Sequence, residues 1–491
     1  MSEPGDPIFA EADELAVQLA RSSRRSRRVA MLLVVVVVGL GFYLAFGQAI
    51  ERAWRLSQAA RAAAERDANM TELERLHAEL VPRWLIDMSQ KAPGRMVTWS
   101  RIEQTLETVP LLLETLTEMK DLLESPEGAA AYAERLLELT ADWNEYLDRV
   151  GEPWWVDVTV RGSANGGYIY AKTYKLLADF EVEVAGRRYR TRMAARADLT
   201  NVVESLLGHT SPSQDGAIIL TDRLYDFALR SIWPLLSAPM KAPTTRQSAF
   251  QAAVAAEVEA ALPADALAAL RAAAPARQRL EQTLDAVRAR HSCGSTFAIL
   301  DLPWDGMKEQ SLEVIRRIAE RDRYETCPRV TEAEVEVVAS VSDDLRDNPE
   351  LQAAAEHLVS HVAYAVTLHE ARHSADHDVA SAFHTPLECE ACDARRVGAM
   401  ARAELSAYLA QFASPTHGYT SLFQACGLDF ASRSPHVRAL RVAFSELGID
   451  CEARPPADLQ DRARAMAQAY FGRADPIKVP ETFPARLELY R

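Results

Sequence analysis

Hydrophobic and polar positions divide the chain into stretches of different period. Residues 1–28 are polar and aperiodic, and an uncharged apolar run then fills Val29 to Phe46, including Val34 to Val38. These about 18 residues would reach roughly 27 Å as a helix, enough to cross the hydrocarbon core of a bilayer. From Glu51 to about Trp84 the period is helical, with Leu73, Leu76 and Leu80 at i, i+3 and i+7, as in a stalk. Helical spacing continues from Trp99 to Val150, interrupted at Ser125-Pro126-Glu127-Gly128.

The period then changes to two. Val156, Val158 and Val160 alternate with polar residues, as do Phe180, Val182 and Val184, which predicts half-buried strands. The alternation resumes across Ala185-Gly186 as Tyr189, Thr191 and Met193, so a hairpin would set Arg188, Arg190 and Arg192 on the exposed face with Glu181 and Glu183. Pro239 to Thr245 reads as a linker, and Gln247 to Arg290 as Ala-rich helix broken by Pro263 and Pro275. A strand at Thr296 to Leu300, a helix at Gln310 to Arg321 and a strand at Val335 to Val341 follow.

The expected fold class is therefore α+β and predominantly helical. Its expected parts are a cytoplasmic tail (1–28), a transmembrane anchor (29–47), a helical stalk or bundle (48–150), an α+β module with a β-hairpin (151–240), Ala-rich helices with short strands (241–345) and a C-terminal domain (346–491). Arg21, Arg24, Arg25, Arg27 and Arg28 precede the apolar run, so the positive-inside rule keeps the tail in the cytoplasm and places about 440 residues outside. A cleaved signal peptide, with Gly47 and Ala49 as its small residues, is the competing account and leaves the rest on the same side.

Composition changes this picture in two ways. A net charge of -15 argues against a nucleic-acid partner, whose phosphates demand clustered Lys and Arg. All six cysteines, Cys293, Cys327, Cys389, Cys392, Cys426 and Cys451, follow the apolar run, so in an oxidising compartment disulfides are expected. If Cys389 and Cys392 belong together, nearest-neighbour pairing joins Cys293 to Cys327 and Cys426 to Cys451.

The candidate chemistry lies in a helix opened by Asn348-Pro349-Glu350 and continuing through His357 and His361 to His369-Glu370-Ala371-Arg372-His373. Residues four apart stack on one helix face, so His369 and His373 offer two imidazoles to one point, the spacing that tetrahedral Zn²⁺ needs. Glu370 adjoins the first of them, in reach of a water for general-base work. With 11 His and 70 acidic residues, a shuffled chain would hold fewer than about 0.04 such matches. His357 and His361 read as solvated or as supports of the ligands.

In these residues the chain resembles the zincin metallopeptidases, over about 130 residues from about 348 onward. The resemblance implies a zincin-like C-terminal domain that attacks a peptide or protein substrate with a zinc-activated water, with Zn²⁺ on His369 and His373 and Glu370 as base. Ala371 and Arg372 depart from the family pattern, the first where a bulky apolar residue is usual and the second where a charge is avoided. A third His six residues after His373 would make a metzincin, and that position is Val379. The gluzincin alternative implies a Glu from a later helix. Glu404, sharing a face with Tyr408 while Leu405 and Leu409 pack inward, is preferred to Glu388 and Glu390 in the Cys389-Glu390-Ala391-Cys392 turn. Thermolysin-like members carry an Asp four residues after that Glu; here it is Tyr408, which leaves Asp376 and Asp378 as carboxylates to orient a His ligand. Oxyanion donors by type are Tyr408, His384, His417 and Tyr419. The whole would be an extracytoplasmic, membrane-anchored zinc metallopeptidase; the alternative is a non-catalytic envelope protein with a degenerate metal-binding domain.

Overall fold

Burial of the strand faces sets the architecture. The computed structural model describes residues 71–89, 94–107, 109–125, 129–161, 168–198, 207–210, 216–236, 246–291, 348–379, 387–388 and 396–480, together with Ala333, Glu336, Val337 and Ser340. The expected tail, membrane anchor, linker 239–245, strand 296–300 and helix 310–321 lie outside the described residues, as do Cys293, Cys327, Cys389 and Cys392. Among the described residues no helix is long and apolar enough to cross a membrane.

The first helices, α1 (Glu72–Arg75), α2 (Val81–Ser89), α3 (Arg95–Leu106), α4 (Pro110–Glu124) and α5 (Ala133–Val150), form a bundle. A π-helical turn, Leu76–Leu80, joins α1 to α2, and Pro110 occupies the first turn of α4, where its missing N–H costs nothing. Leu76, Trp84, Leu85, Ile102, Leu116 and Trp143 are fully buried against Val156, Val158, Ile169 and Ala171 of the sheet. The leucine stripe read as a stalk is thus a packed face, because the strands cover it.

A curled sheet follows, made of β1 (Trp154–Arg161), β2 (Tyr168–Val184), β3 (Arg187–Arg196), β4 (Gly208–Thr210) and β5 (Ala217–Leu220), in the order β1-β2-β3-β5-β4. The β2–β3 hairpin forms in the expected register, Glu183 opposite Arg188 and Glu181 opposite Arg190. Its turn residues Ala185 and Gly186 have φ of 52° and 81°, the doubly left-handed geometry that matches strand twist and that glycine adopts without strain. Arg192 departs from expectation: it is buried, over the ring of Trp155 and 3.7 Å from Asp148. β3 and β5 run parallel and β4 antiparallel to β5, so β4 is the last strand of the path among the described residues.

The second core joins Val182, Val184, Met193 and Ile219 to the helices that come later in the chain. These are α6 (Thr221–Phe227), α7 (Trp233–Leu236), α8 (Arg246–Ala261), α9 (Ala264–His291), α10 (Pro349–His377), α11 (Ala399–Phe412), α12 (Gly418–Cys426), α13 (Pro435–Leu447) and α14 (Leu459–Phe471). Small strands complete it: β6 (Leu387–Glu388) pairs with β7 (Arg396–Val397), and β8 (Ile477–Lys478) with the end of β2. Glu72–Arg491 is one compact unit.

Two local expectations are corrected here. Pro263 separates α8 from α9, but Pro275 sits inside α9: a proline removes one backbone hydrogen bond, and the burial of Leu270, Ala274 and Arg277 around it outweighs that loss. Within the expected strand 335–341, Glu336, Val337 and Ser340 are helical, and Ala333 before them too; Val337 packs on the core. Short apolar runs carry no decisive period, and packing chose the helix. The expected pairing of Cys426 with Cys451 is present, with Cα atoms 5.7 Å apart.

Candidate metal centre

Asn348 caps α10, its side chain accepting from the N–H groups of Glu350 and Leu351 at 3.1 and 3.0 Å, with Pro349 in the first turn. From Leu351 to Asp376 this helix is buried on most of its circumference, as a helix through the middle of a core must be. It contacts β4 and β5 on one side and α9 and α11 on others. Its histidines are thereby held where water is scarce, His369 at 7% and His373 at 9% exposure.

One helical turn brings the two Nε2 atoms within 3.1 Å of each other. Glu404 reaches them from α11, its Oε2 lying 3.2 Å from Nε2 of His369 and 3.4 Å from Nε2 of His373. Leu405 and Leu409, wholly buried, fix that helix and so aim Glu404 at the histidines. For tetrahedral Zn²⁺ with ligands at about 2.0–2.1 Å, donor atoms stand about 3.3 Å apart. The three separations here match that edge length, and the group is one that could hold a metal ion.

Proton placement adds a second argument. Gln411 of α11 donates from Nε2 to the carbonyl of Ala365 at 2.8 Å, which leaves its Oε1 to accept from Nδ1 of His369 at 3.1 Å. With a proton held at Nδ1 by Gln411, Nε2 of His369 is the ring nitrogen left to face Glu404 and to serve as a metal ligand. Nε2 of both imidazoles and Oε2 of Glu404 thus converge on one point, which protons or a metal cation must share. Burial pushes the Glu404 carboxyl up, but His369, His373 and His436 outweigh it and hold the group well below the usual carboxylate range. Burial likewise lowers His373, and the adjacent Glu404 reverses this and raises it.

Glu370, 5% exposed, faces the sheet. Thr210 of β4 donates from Oγ1 to its Oε2 at 2.8 Å. Close approach at β4 requires Gly208, where a Cβ would stand 3.0 Å from Cγ and Oε1 of Glu370. Tyr408 packs edge-on to His369, ring centroids 4.8 Å apart, and its hydroxyl lies 3.3 Å from Nδ1 of His436. Burial, then the charges of Glu404 and Glu370, push its phenol far up, so it stays protonated. His436, near the N-terminus of α13, brings the same Nδ1 within 2.8 Å of Glu404 Oε2.

Several sequence expectations are redirected by this geometry. His417 stacks on His361 and Tyr364 at 4.3 and 4.2 Å, and Tyr419 donates to the carbonyl of Pro456, so both are engaged in contacts outside the metal group. His384 and Glu390 lie outside the described residues, as does the side chain of Glu388. Asp376 pairs with Arg473 at 3.2 Å and Asp378 accepts from Arg187 and Tyr189; the partner of His369 is Gln411 instead, which α11 carries two turns beyond Glu404. His357 is exposed, as read, but His361 is buried and bonded to Thr420 at 2.9 Å, because α12 covers it. Gln411 was legible in principle, at i+7 from Glu404 on the same face; His436 and Thr210 carry no local signal. Comparison with known proteins finds no matching family model, curated protein or solved structure.

Proposed function

We propose that this chain is a zinc metallopeptidase of gluzincin type, anchored in the membrane by residues 29–47 with Glu72–Arg491 on the outer side. The observation that carries the reading is the convergence of His369, His373 and Glu404 at tetrahedral spacing beside a buried, hydrogen-bonded Glu370. These three residues would hold Zn²⁺, which when bound supplies a Lewis acid that polarises a water and a carbonyl. Glu370, steadied by Thr210, takes the proton of the attacking water and returns it to the leaving amine. Tyr408, held protonated edge-on to His369, offers its O–H to the developing oxyanion, and His436, 2.8 Å from Oε2 of Glu404, steadies that carboxylate.

The sheet supports a peptide as substrate. β4 is the terminal strand of the sheet path among the described residues, and the same strand bonds Glu370 through Thr210. An extended chain adding to such an edge pairs its backbone irrespective of side chains and passes beside the general base. The test is zinc content of the purified full chain, wild type and as His373→Ala, Glu404→Ala and Glu370→Gln, together with casein hydrolysis. One zinc in wild type and Glu370→Gln, loss in both ligand variants, and cleavage reduced about 10²- to 10⁴-fold in Glu370→Gln support the reading. Zinc without cleavage by wild type makes the chain a non-catalytic metal-binding protein, and no zinc removes both.

A further inference from the structure

Arg372, the charged residue inside the metal-binding motif, is 2% exposed, yet its guanidinium makes no hydrogen bond and no ion pair with any described group; its Nε is among the buried polar atoms without a partner. At about 100° per residue it stands about 60° around α10 from His369, and the cleft that it lines includes no residue of the metal group. There it lines a cleft of about 390 Å³ between α10, α11, α14 and the strand β8, within the size range of small-ligand sites. Other positively charged groups are already engaged: Arg464, at the same cleft, binds Asp461 at 2.7 Å and the carbonyl of Ala413, and Arg473 binds Asp376. Asp475 lines the cleft and Asp376 lies nearby, but both act on Arg372 only through the field.

A guanidinium does not escape burial by losing its proton, and an unpaired buried charge destabilises the fold strongly. Its donor fork matches a carboxylate, while Tyr364, Leu368, Leu409, Pro415 and Ile477 give the rest of the cleft an apolar wall. We propose that this cleft is a second binding site, for a small carboxylate with an apolar body, whose acid group pairs with Arg372. The site is separate from the proposed zinc centre and does not depend on it, although both are built on α10. One singly charged head matches Arg372, the cation of this cleft without a partner among the described residues; with Asp475 also lining the cleft, a phosphate would bring more charge than Arg372 offsets and leave the apolar wall unused.

The probe is 4-phenylbutanoate, titrated into the full chain in neutral detergent, with and without zinc, by calorimetry and by thermal unfolding. Saturable binding and a raised unfolding midpoint are expected, with 4-phenylbutanol and inorganic phosphate at least about tenfold weaker, since a hydrogen-bonded ion pair separates them from the acid. Arg372→Met should lose the same factor, and Ala410→Phe, which fills the cleft and leaves Arg372 in place, should abolish binding. If Arg372→Met does not fold, Ala410→Phe decides, and the comparison of acid with alcohol needs no variant. Absence of saturable binding, equal binding of acid and alcohol, binding unchanged by either variant, or phosphate binding as tightly as the acid would each overturn the proposal.

Discussion

The side-chain oxygen of Gln411 lies 3.1 Å from Nδ1 of His369, and its amide nitrogen is tied to the carbonyl of Ala365, so one glutamine decides which imidazole nitrogen faces Glu404. Because an imidazole has only one proton when neutral, holding it at Nδ1 frees Nε2 as a ligand.

Gln411→Leu keeps the volume of this buried position and removes the acceptor. Zinc affinity should fall about 10- to 100-fold, the usual cost of losing a group that orients a ligating histidine. Competition with a chelator measures it; affinity equal to wild type would remove Gln411 from the site.

Thr210→Val leaves the shape of β4 and deletes the hydrogen bond to Glu370. Bonds to charged groups contribute about 1.5–3 kcal/mol, so kcat on a peptide substrate should drop about tenfold or more while zinc content stays the same. Gly208→Ala should act more severely, as its Cβ would press on Glu370 and, at 3.0 Å, on the carbonyl of Ile218, which a sheet cannot move aside.

Acid should destabilise the fold through its buried histidines. Burial lowers His361 to about 4, and burial together with the neighbouring His361 lowers His417 to about 3, while the unfolded chain protonates near 6.5. Between these values the unfolded state binds more protons, so the stabilisation is complete above pH 6.5 and is lost as pH falls toward 4 and then 3. Each histidine should account for about 2 kcal/mol between pH 7 and 5, read from denaturant unfolding at the two pH values. His361→Gln should lose its share of that slope; an unchanged slope would refute the assignment.

The Cys426–Cys451 disulfide closes a loop of 25 residues that contains α13 and therefore His436. Replacing both cysteines by serine should cost about 3 kcal/mol by releasing loop entropy in the unfolded chain. Thermal unfolding reports the loss, and a midpoint equal to wild type would show that packing of α13 alone suffices.

The sequence by itself determined the features that depend on neighbours a few residues apart. Four-residue spacing put His369 and His373 together, period-two alternation set Glu181 and Glu183 opposite arginines, and the Leu405 and Leu409 face aimed Glu404 inward. Regular backbone geometry fixes such relations wherever the element forms. Only the tertiary structure decided the rest. Thr210 meets Glu370 across 160 residues of chain and His436 meets Glu404 from another helix, contacts with no period to read. Packing likewise turned the Leu76 and Leu80 stripe into core, kept Pro275 within a helix and buried Arg372 beside a cleft. In each case the energy of many distant contacts exceeded a local preference, and local pattern carries no record of them.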